Sequence, residues 1–139
     1  MKQLLLILIL VVSLSSCETS SPKEIAKAEI EEIFEKVRSS YNFGDLPGIM
    51  EHFHPNFLHN GDDYQVEEVV WELRRNQYPT LDFDDLYIDL NGDFASVAFT
   101  LYLGDEEFTE PSTEKGDLSY FYKTFDGWKI CGNEFVEQF

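Results

Sequence analysis

Apolar residues recur along the chain with two different periods, and the change from one to the other falls near Leu81. From Ala26 onward, Ile30, Ile33, Phe34, Val37 and Tyr41 come three or four apart with charges between them, which predicts an amphipathic helix. Ser21-Pro22-Lys23-Glu24 forms a capping box ahead of it. The Ser21 oxygen can accept from the amide of Glu24, the Glu24 carboxylate reaches back, and Pro22 suits the first helical position. Gly44 closes the helix as a left-handed residue. Asp45 opens a short second helix over Leu46 to Phe53, and Pro55 stops it. After a turn at Asn60-Gly61, a third helix presents Val66, Val69, Val70 and Leu73 as its inner face and ends before Pro79.

Beyond Leu81 the pattern alternates. Asn91-Gly92 predicts a type I′ hairpin joining Asp82–Leu90 to Asp93–Leu103, and Asp126-Gly127 a second joining Leu118–Phe125 to Trp128–Phe135. In the first, Leu90 then faces Asp93, Ile88 faces Ala95 and Leu86 faces Val97, so these residues with Phe99, Leu101 and Leu103 form the core side. The other side carries Phe83, Tyr87, Phe94, Ala98, Thr100 and Tyr102. That face is too apolar for open water, and a homodimer through Phe94 and Tyr102 is expected. Both faces of the second hairpin are half aromatic, Phe121, Trp128 and Ile130 against Tyr120, Tyr122 and Cys131, so which one lines a pocket stays open. Gly104 to Asp117 reads as a long acidic connection. Three helices followed by two hairpins is an α+β layout, with helices on one face of a mainly antiparallel sheet.

The first residues serve another purpose. Met1-Lys2-Gln3 is a short positive segment, and Leu4 to Val12 contain no polar residue. That run is too short for a bilayer core of ~30 Å but suits an export signal. Leu14-Ser15-Ser16-Cys17 resembles a lipobox, in which the cysteine sulfur takes a diacylglycerol and small residues admit the peptidase. Ordinary signal cleavage would also accept the small residues at 15 and 16. The expected division is a signal peptide over 1–16, a lipidated Cys17 with a short tether over 17–23, and one domain over 24–139. Such a chain sits in the cell envelope, anchored by lipid and facing outside the cytoplasm. At ~3.6 Å per residue, Glu18 to Ser21 hold the domain within about 20 Å of the membrane.

Charge narrows the partners. After residue 16 there remain nine basic against 27 acidic residues, which argues against nucleic acid and against flat docking on anionic lipid. The aromatic content excludes a disordered acidic tail. With Cys17 carrying lipid, Cys131 has no disulfide partner, and a lone cysteine on a strand is a small buried hydrophobe.

The ordered set Tyr41-Asn42-Phe43-Gly44-Asp45-Leu46, then Phe53-His54-Pro55-Asn56-Phe57, then Asn91-Gly92-Asp93-Phe94-Ala95 and Asp126-Gly127-Trp128-Lys129-Ile130 resembles the nuclear transport factor 2-like superfamily. The SnoaL-like branch is the most similar, over roughly residues 24–135. The resemblance implies a cone-shaped fold, three helices in a curved sheet, with a pocket at the open end and frequent dimers. Its isomerase branch carries a tyrosine seven residues before the Gly-Asp, where this chain has Val37, and an aspartate base where Phe57-Leu58-His59-Asn60 offers only a histidine. That departure speaks against isomerase chemistry.

The expected ligand pocket combines His59, at the rim the resemblance implies, with Trp71, Tyr120 and Asn133. His52, His54 and His59 do not form a metal set, because the first two are two apart near a helix end and diverge. No metal and no cofactor is expected, and Asp89 to Asp93 lacks the distal ligand of a calcium loop. A straight strand would turn Asp84 inward opposite Phe99, where an apolar wall would raise its pKa and fit it for acid–base work. A bulge at Asp84-Asp85 would instead put Phe83 inside, as strong sheet curvature favours. The expected function is therefore a membrane-anchored, non-catalytic domain that binds a small apolar ligand or a partner segment. The alternatives are an acid–base enzyme of the SnoaL-like kind using Asp84 or His59, and a structural subunit of an envelope assembly.

Overall fold

A computed structural model describes residues 19–112 and 116–137. Cys17 and the segment expected to be a signal peptide lie outside the described residues, and among those described no helix is long and apolar enough to cross a membrane. Helix α1 spans Pro22–Phe43 with the expected capping box: Ser21 Oγ accepts from the Glu24 amide at 3.3 Å and Glu24 Oε2 from the Ser21 amide at 2.8 Å. Ile30, Ile33, Phe34, Val37 and Tyr41 are its buried stripe, as the periodicity predicts. Helix α2 is shorter than expected, Leu46–Met50, capped by Asp45. A small hairpin of β1 (Leu58–His59) and β2 (Asp62–Asp63) follows, and Asn60 and Gly61 both take positive φ (51° and 85°), the type I′ pattern.

Helix α3, Tyr64–Gln77, inverts the expected orientation. Val66, Val69 and Leu73 are exposed, while Glu67 and Trp71 are buried. One aromatic indole removes more apolar surface from water than a valine stripe does, so the helix turns the face holding Trp71 inward. Glu67 and Arg74 go in with it.

The main sheet has the order β3 (Leu81–Asn91), β4 (Phe94–Leu103), β6 (Tyr120–Thr124), β7 (Gly127–Ile130), all antiparallel. Strand β5, Glu106–Glu110, pairs with Phe99–Leu103 of β4, so the segment expected as a plain connection contains a third hairpin. Both expected hairpin turns are displaced by one residue. Asn91 pairs with Phe94, leaving Gly92-Asp93 as the turn, with positive φ at Gly92 alone: a type II′ turn in place of I′. Thr124 pairs with Gly127, leaving Phe125-Asp126 as the second turn, and Phe125 is fully exposed there. Moving a turn by one residue moves each partner by two, so the faces survive: Ala95, Val97, Phe99, Leu101 and Leu103 are all buried.

Between Asp84 and Tyr87 the register shifts, with Asp85 at φ 54°, so β3 carries a bulge. Phe83 therefore turns inward and meets Phe34 edge-on at 5.0 Å, and Phe99 at 5.6 Å. Phe34 also packs against Phe99 and Phe121, which seats α1 in the curve of the sheet. The exposed edge of β3 bears Asp82, Asp84, Asp85 and Asp89, charges that discourage edge-to-edge pairing.

The chain ends by folding back on itself. Strand β7 stops at Ile130, and the following residues return along the β1–β2 hairpin instead of extending to Phe135. Gly132 has φ 81°, and a Cβ there would lie 2.1 Å from the Leu58 carbonyl oxygen, so only glycine permits the approach. The Glu134 amide then donates to Leu58 O at 3.0 Å.

Candidate functional site

The helices and sheet enclose a region that is apolar on one side and ionic on the other. On the apolar side Ile33, Phe34, Val37, Leu118, Phe121 and Ile130 surround a residual space with no room for a water molecule. On the ionic side, two turns of α3 place Glu67, Trp71 and Arg74 at helical neighbour spacing, and the loop before β6 brings in Asp117. Trp71 Nε1 donates to Glu67 Oε1 at 2.8 Å, and Arg74 Nη1 donates to Asp117 Oδ2 at 2.9 Å. The Arg74 guanidinium lies over the Trp71 ring, 4.3 Å from its centroid. Tyr41 is fully buried beside them, and its hydroxyl donates to the carbonyls of Arg74 and Tyr78.

Two buried carboxyls against one buried guanidinium cannot both ionise without cost. Burial, and then the neighbouring Asp117 charge, lift the Glu67 carboxyl to about 10. Burial also pushes Asp117 upward, but the Arg74 charge and a hydrogen bond from Glu67 outweigh it and hold Asp117 well below the usual carboxylate range. At neutral pH Glu67 is thus a neutral acid donating to the Asp117 carboxylate, which in turn neutralises Arg74. The set is satisfied within itself.

On the outer side, Tyr120 and Asn133 line a cleft of about 260 Å³ together with Phe94, Ser96, Cys131 and Phe135. Phe94 and Phe135, with ring centroids 6.3 Å apart, stand on its wall; Tyr122 packs against both rings and His54 against Phe135.

A curved antiparallel sheet wrapped on three helices, with the interior facing α3, recurs in solved structures. An NTF2-like protein of unknown function from Pseudomonas putida superposes with TM-score 0.59 at 15% identity, over 78% of this chain and 83% of that one. The fold is nuclear transport factor 2-like. An NTF2-like protein of unknown function from Shewanella oneidensis gives 0.52 at 18% identity over 76% and 94%. The protein Bd1075 of Bdellovibrio bacteriovorus gives 0.55 at 16% identity over 86% of this chain, which spans only 44% of that one. No family model and no curated protein sequence matches the chain.

Within this nuclear transport factor 2-like fold the expected pocket residues do not share one cavity. Trp71 is wholly buried in the core. His59 is buried as well: its Nδ1 accepts from the Asn133 amide at 3.2 Å, and its Nε2 lies 3.2 Å from Asn60 Nδ2. Both ring nitrogens are engaged, so His59 is a positioning residue for the returning chain end. Only Tyr120 and Asn133 reach the outer cleft, with the Tyr120 ring 6.1 Å from that of His59.

Asp84 faces outward at the bulge, its Oδ1 accepting from the Asp85 amide at 2.9 Å, and it cannot act inside the cone. His54 Nδ1 accepts from the Asn56 amide at 3.0 Å, in the turn that follows α2. Among the described residues no three of His, Cys, Asp and Glu are grouped as a metal site. The expected dimer residues lie at opposite ends of β4, and Phe94 is partly covered by the chain's own Phe135 at 6.3 Å. Cys131 is buried, and burial pushes its thiol up to about 12, so it is an inert core residue.

Sequence reasoning passed over Glu67, Arg74 and Asp117. The available signal was the spacing of Glu67, Trp71 and Arg74 on one helical face, opposite the valines.

Proposed function

We propose that the chain is a lipid-anchored binding domain whose ligand or partner segment sits in the outer cleft beside Tyr120 and Asn133, while the cone interior is structural. The observation that carries this reading is the interior itself, where no water fits on the apolar side and the ionic side satisfies its own groups. Small-molecule sites are concave, largely apolar and lined by a few polar groups. The outer cleft is concave and about half apolar, with Phe94 and Phe135 as apolar wall and Asp89, Asn91, Ser96 and Asn133 as polar points. Strong net negative charge suits a neutral or cationic occupant.

The test is native mass spectrometry of the protein extracted from its own membranes. Wild type carries a bound small molecule or peptide; Ser96→Trp, which fills the cleft from an exposed position, loses it. Retention of the same species by Ser96→Trp sinks the reading. Anchoring is checked separately: Cys17→Ala abolishes labelling by a fatty-acid analogue, and unchanged labelling removes the lipid from the proposal.

An acid–base enzyme is the second reading, and one observation favours it: a neutral carboxyl held beside an ionised one is the arrangement that lets a protein donate a proton near neutrality. On that reading Glu67 and Asp117 replace Asp84 and His59 as the working pair, and the interior opens to admit substrate.

A further inference from the structure

A single charge lines the outer cleft, and its sign bears on what the cleft can hold. By register Asp89, Ser96 and Tyr120 stand side by side on β3, β4 and β6, with Asn91 and Phe94 in the next row. The returning chain forms the other bank, where Asn133 and Phe135 line the same space. Asp89 is exposed and is the one acidic side chain of the lining, to which no lysine, arginine or histidine contributes. It takes part in none of the ion pairs among the described residues. Lys129, opposite Tyr122 on β7, gives its ammonium to the Glu51 carbonyl at 2.6 Å.

The rings near that carboxylate are held in place. The buried Tyr122 packs on both Phe94 and Phe135, and its hydroxyl donates to Glu137, with the Asp93 charge nearby. An aromatic face presents negative charge to whatever lies on it. Two phenyl rings and an uncompensated carboxylate therefore draw a cation and repel an anion. A neutral occupant would cover Asp89 without offsetting its charge. A primary ammonium is compact and strongly hydrated, and a cleft this open does not replace its water. An alkylated ammonium holds water weakly and spreads its charge over methyl groups that pack on rings. The cleft volume of about 260 Å³ limits the occupant to a small molecule.

We propose that the outer cleft binds a small alkylated ammonium group, its methyls on Phe94 and Phe135 and its charge offset by Asp89. This names the ligand class for the site of the binding-domain reading and rests on that reading. The group belongs to a free ion or to the head of a membrane lipid, and the recognition chemistry is the same for both.

The experiment uses the full chain extracted from its host membranes in an uncharged detergent. Saturation-transfer NMR reads the methyl protons of added choline chloride. Choline binds saturably in the millimolar range, and the alcohol in which carbon replaces its nitrogen binds about tenfold more weakly. Asp89→Asn weakens choline about fivefold and Phe94→Leu about threefold, both at exposed positions that leave the fold intact. Glycerophosphocholine tells the sources apart: tighter binding than choline assigns the site to a lipid headgroup, weaker binding to a free ion. No choline signal, equal binding of the uncharged alcohol, or unchanged affinity in Asp89→Asn overturns the proposal. The outer-cleft reading is judged separately. If the alcohol alone binds and Ser96→Trp abolishes it, the cleft takes a neutral ligand and only the ammonium proposal falls. Choline binding retained by Ser96→Trp overturns both.

Discussion

Arg74→Met destabilises the domain by about 3–5 kcal/mol at pH 7, the usual cost of removing one partner of a buried ion pair. Methionine keeps most of the side-chain volume and can still lie on Trp71, so packing is preserved and the loss is electrostatic. Asp117, buried and stripped of its guanidinium, must then either remain charged without a counter-ion or take up a proton. The sign follows from linkage. In wild type the folded pKa of Asp117 lies below its unfolded value, so its ion pair contributes stability above the unfolded value that is lost as pH falls through the folded one. In Arg74→Met the folded pKa rises above the unfolded value, so the variant loses stability as pH climbs from acid toward neutrality. A midpoint lower by roughly 10 °C or more at pH 7, narrowing toward pH 4, is the expected thermal-melt result. A deficit that is the same at both pH values would show that the pair contributes through packing alone. Adding Asp117→Asn to Arg74→Met restores much of the loss, since no buried charge is left.

Glu67→Gln does the opposite. The glutamine amide can donate to Asp117 where the neutral carboxyl did, and its oxygen can accept from Trp71 Nε1. What disappears is the cost of holding a proton on a group that, unfolded, would release it. That group's pKa rises from 4.5 to about 10 on folding, so in wild type stability falls with rising pH across that window. The slope is at most about 1.4 kcal/mol per pH unit. Below pH 4.5 the two proteins match; at pH 7 the variant is more stable by up to about 3 kcal/mol, and the gap widens at pH 8 and 9. Chemical denaturation across pH 4–9 measures it directly. A variant less stable than wild type throughout would mean that Glu67 is a carboxylate in the fold and that Asp117 holds the proton. On the enzyme reading the same substitution abolishes turnover while raising stability, which separates it from a merely damaged protein.

The elements were legible where local chemistry and burial agree. Helix α1 shows this best, because its cap, its apolar stripe and its closing Gly44 all act over a few residues. Helix α3 was legible in position but inverted in facing. A pattern of apolar residues cannot report that Glu67 and Arg74 are neutralised inside, since the neutralising group, Asp117, is 43 residues from Arg74 in the chain. The candidate cluster was invisible for the same reason. The hairpins were legible as hairpins, and their faces were right although both turns were displaced, because parity survives a shift of two. Strand β5 was missed because Glu106, Glu107 and Glu110 dominate it; its pairing comes from the hydrogen-bonding edge of β4, not from its own side chains.

The returning chain end has a consequence for how the molecule is assembled in time. Asn133 and Glu134 hold the β1–β2 hairpin through bonds spanning 73 or 74 residues, and Phe53 bridges to Ile130. A chain appearing from its N-terminus therefore has its helices in hand long before it can shut. Until residues 130–134 arrive, the hairpin carrying His59 lacks its bonds to Asn133 and Glu134, and α1 lacks Ile130. Closure waits on long-range pairing, which is entropically slow. A nascent or prematurely terminated chain is thus an open half-shell exposing aromatic surface, and quality control would meet that species first, not the finished domain.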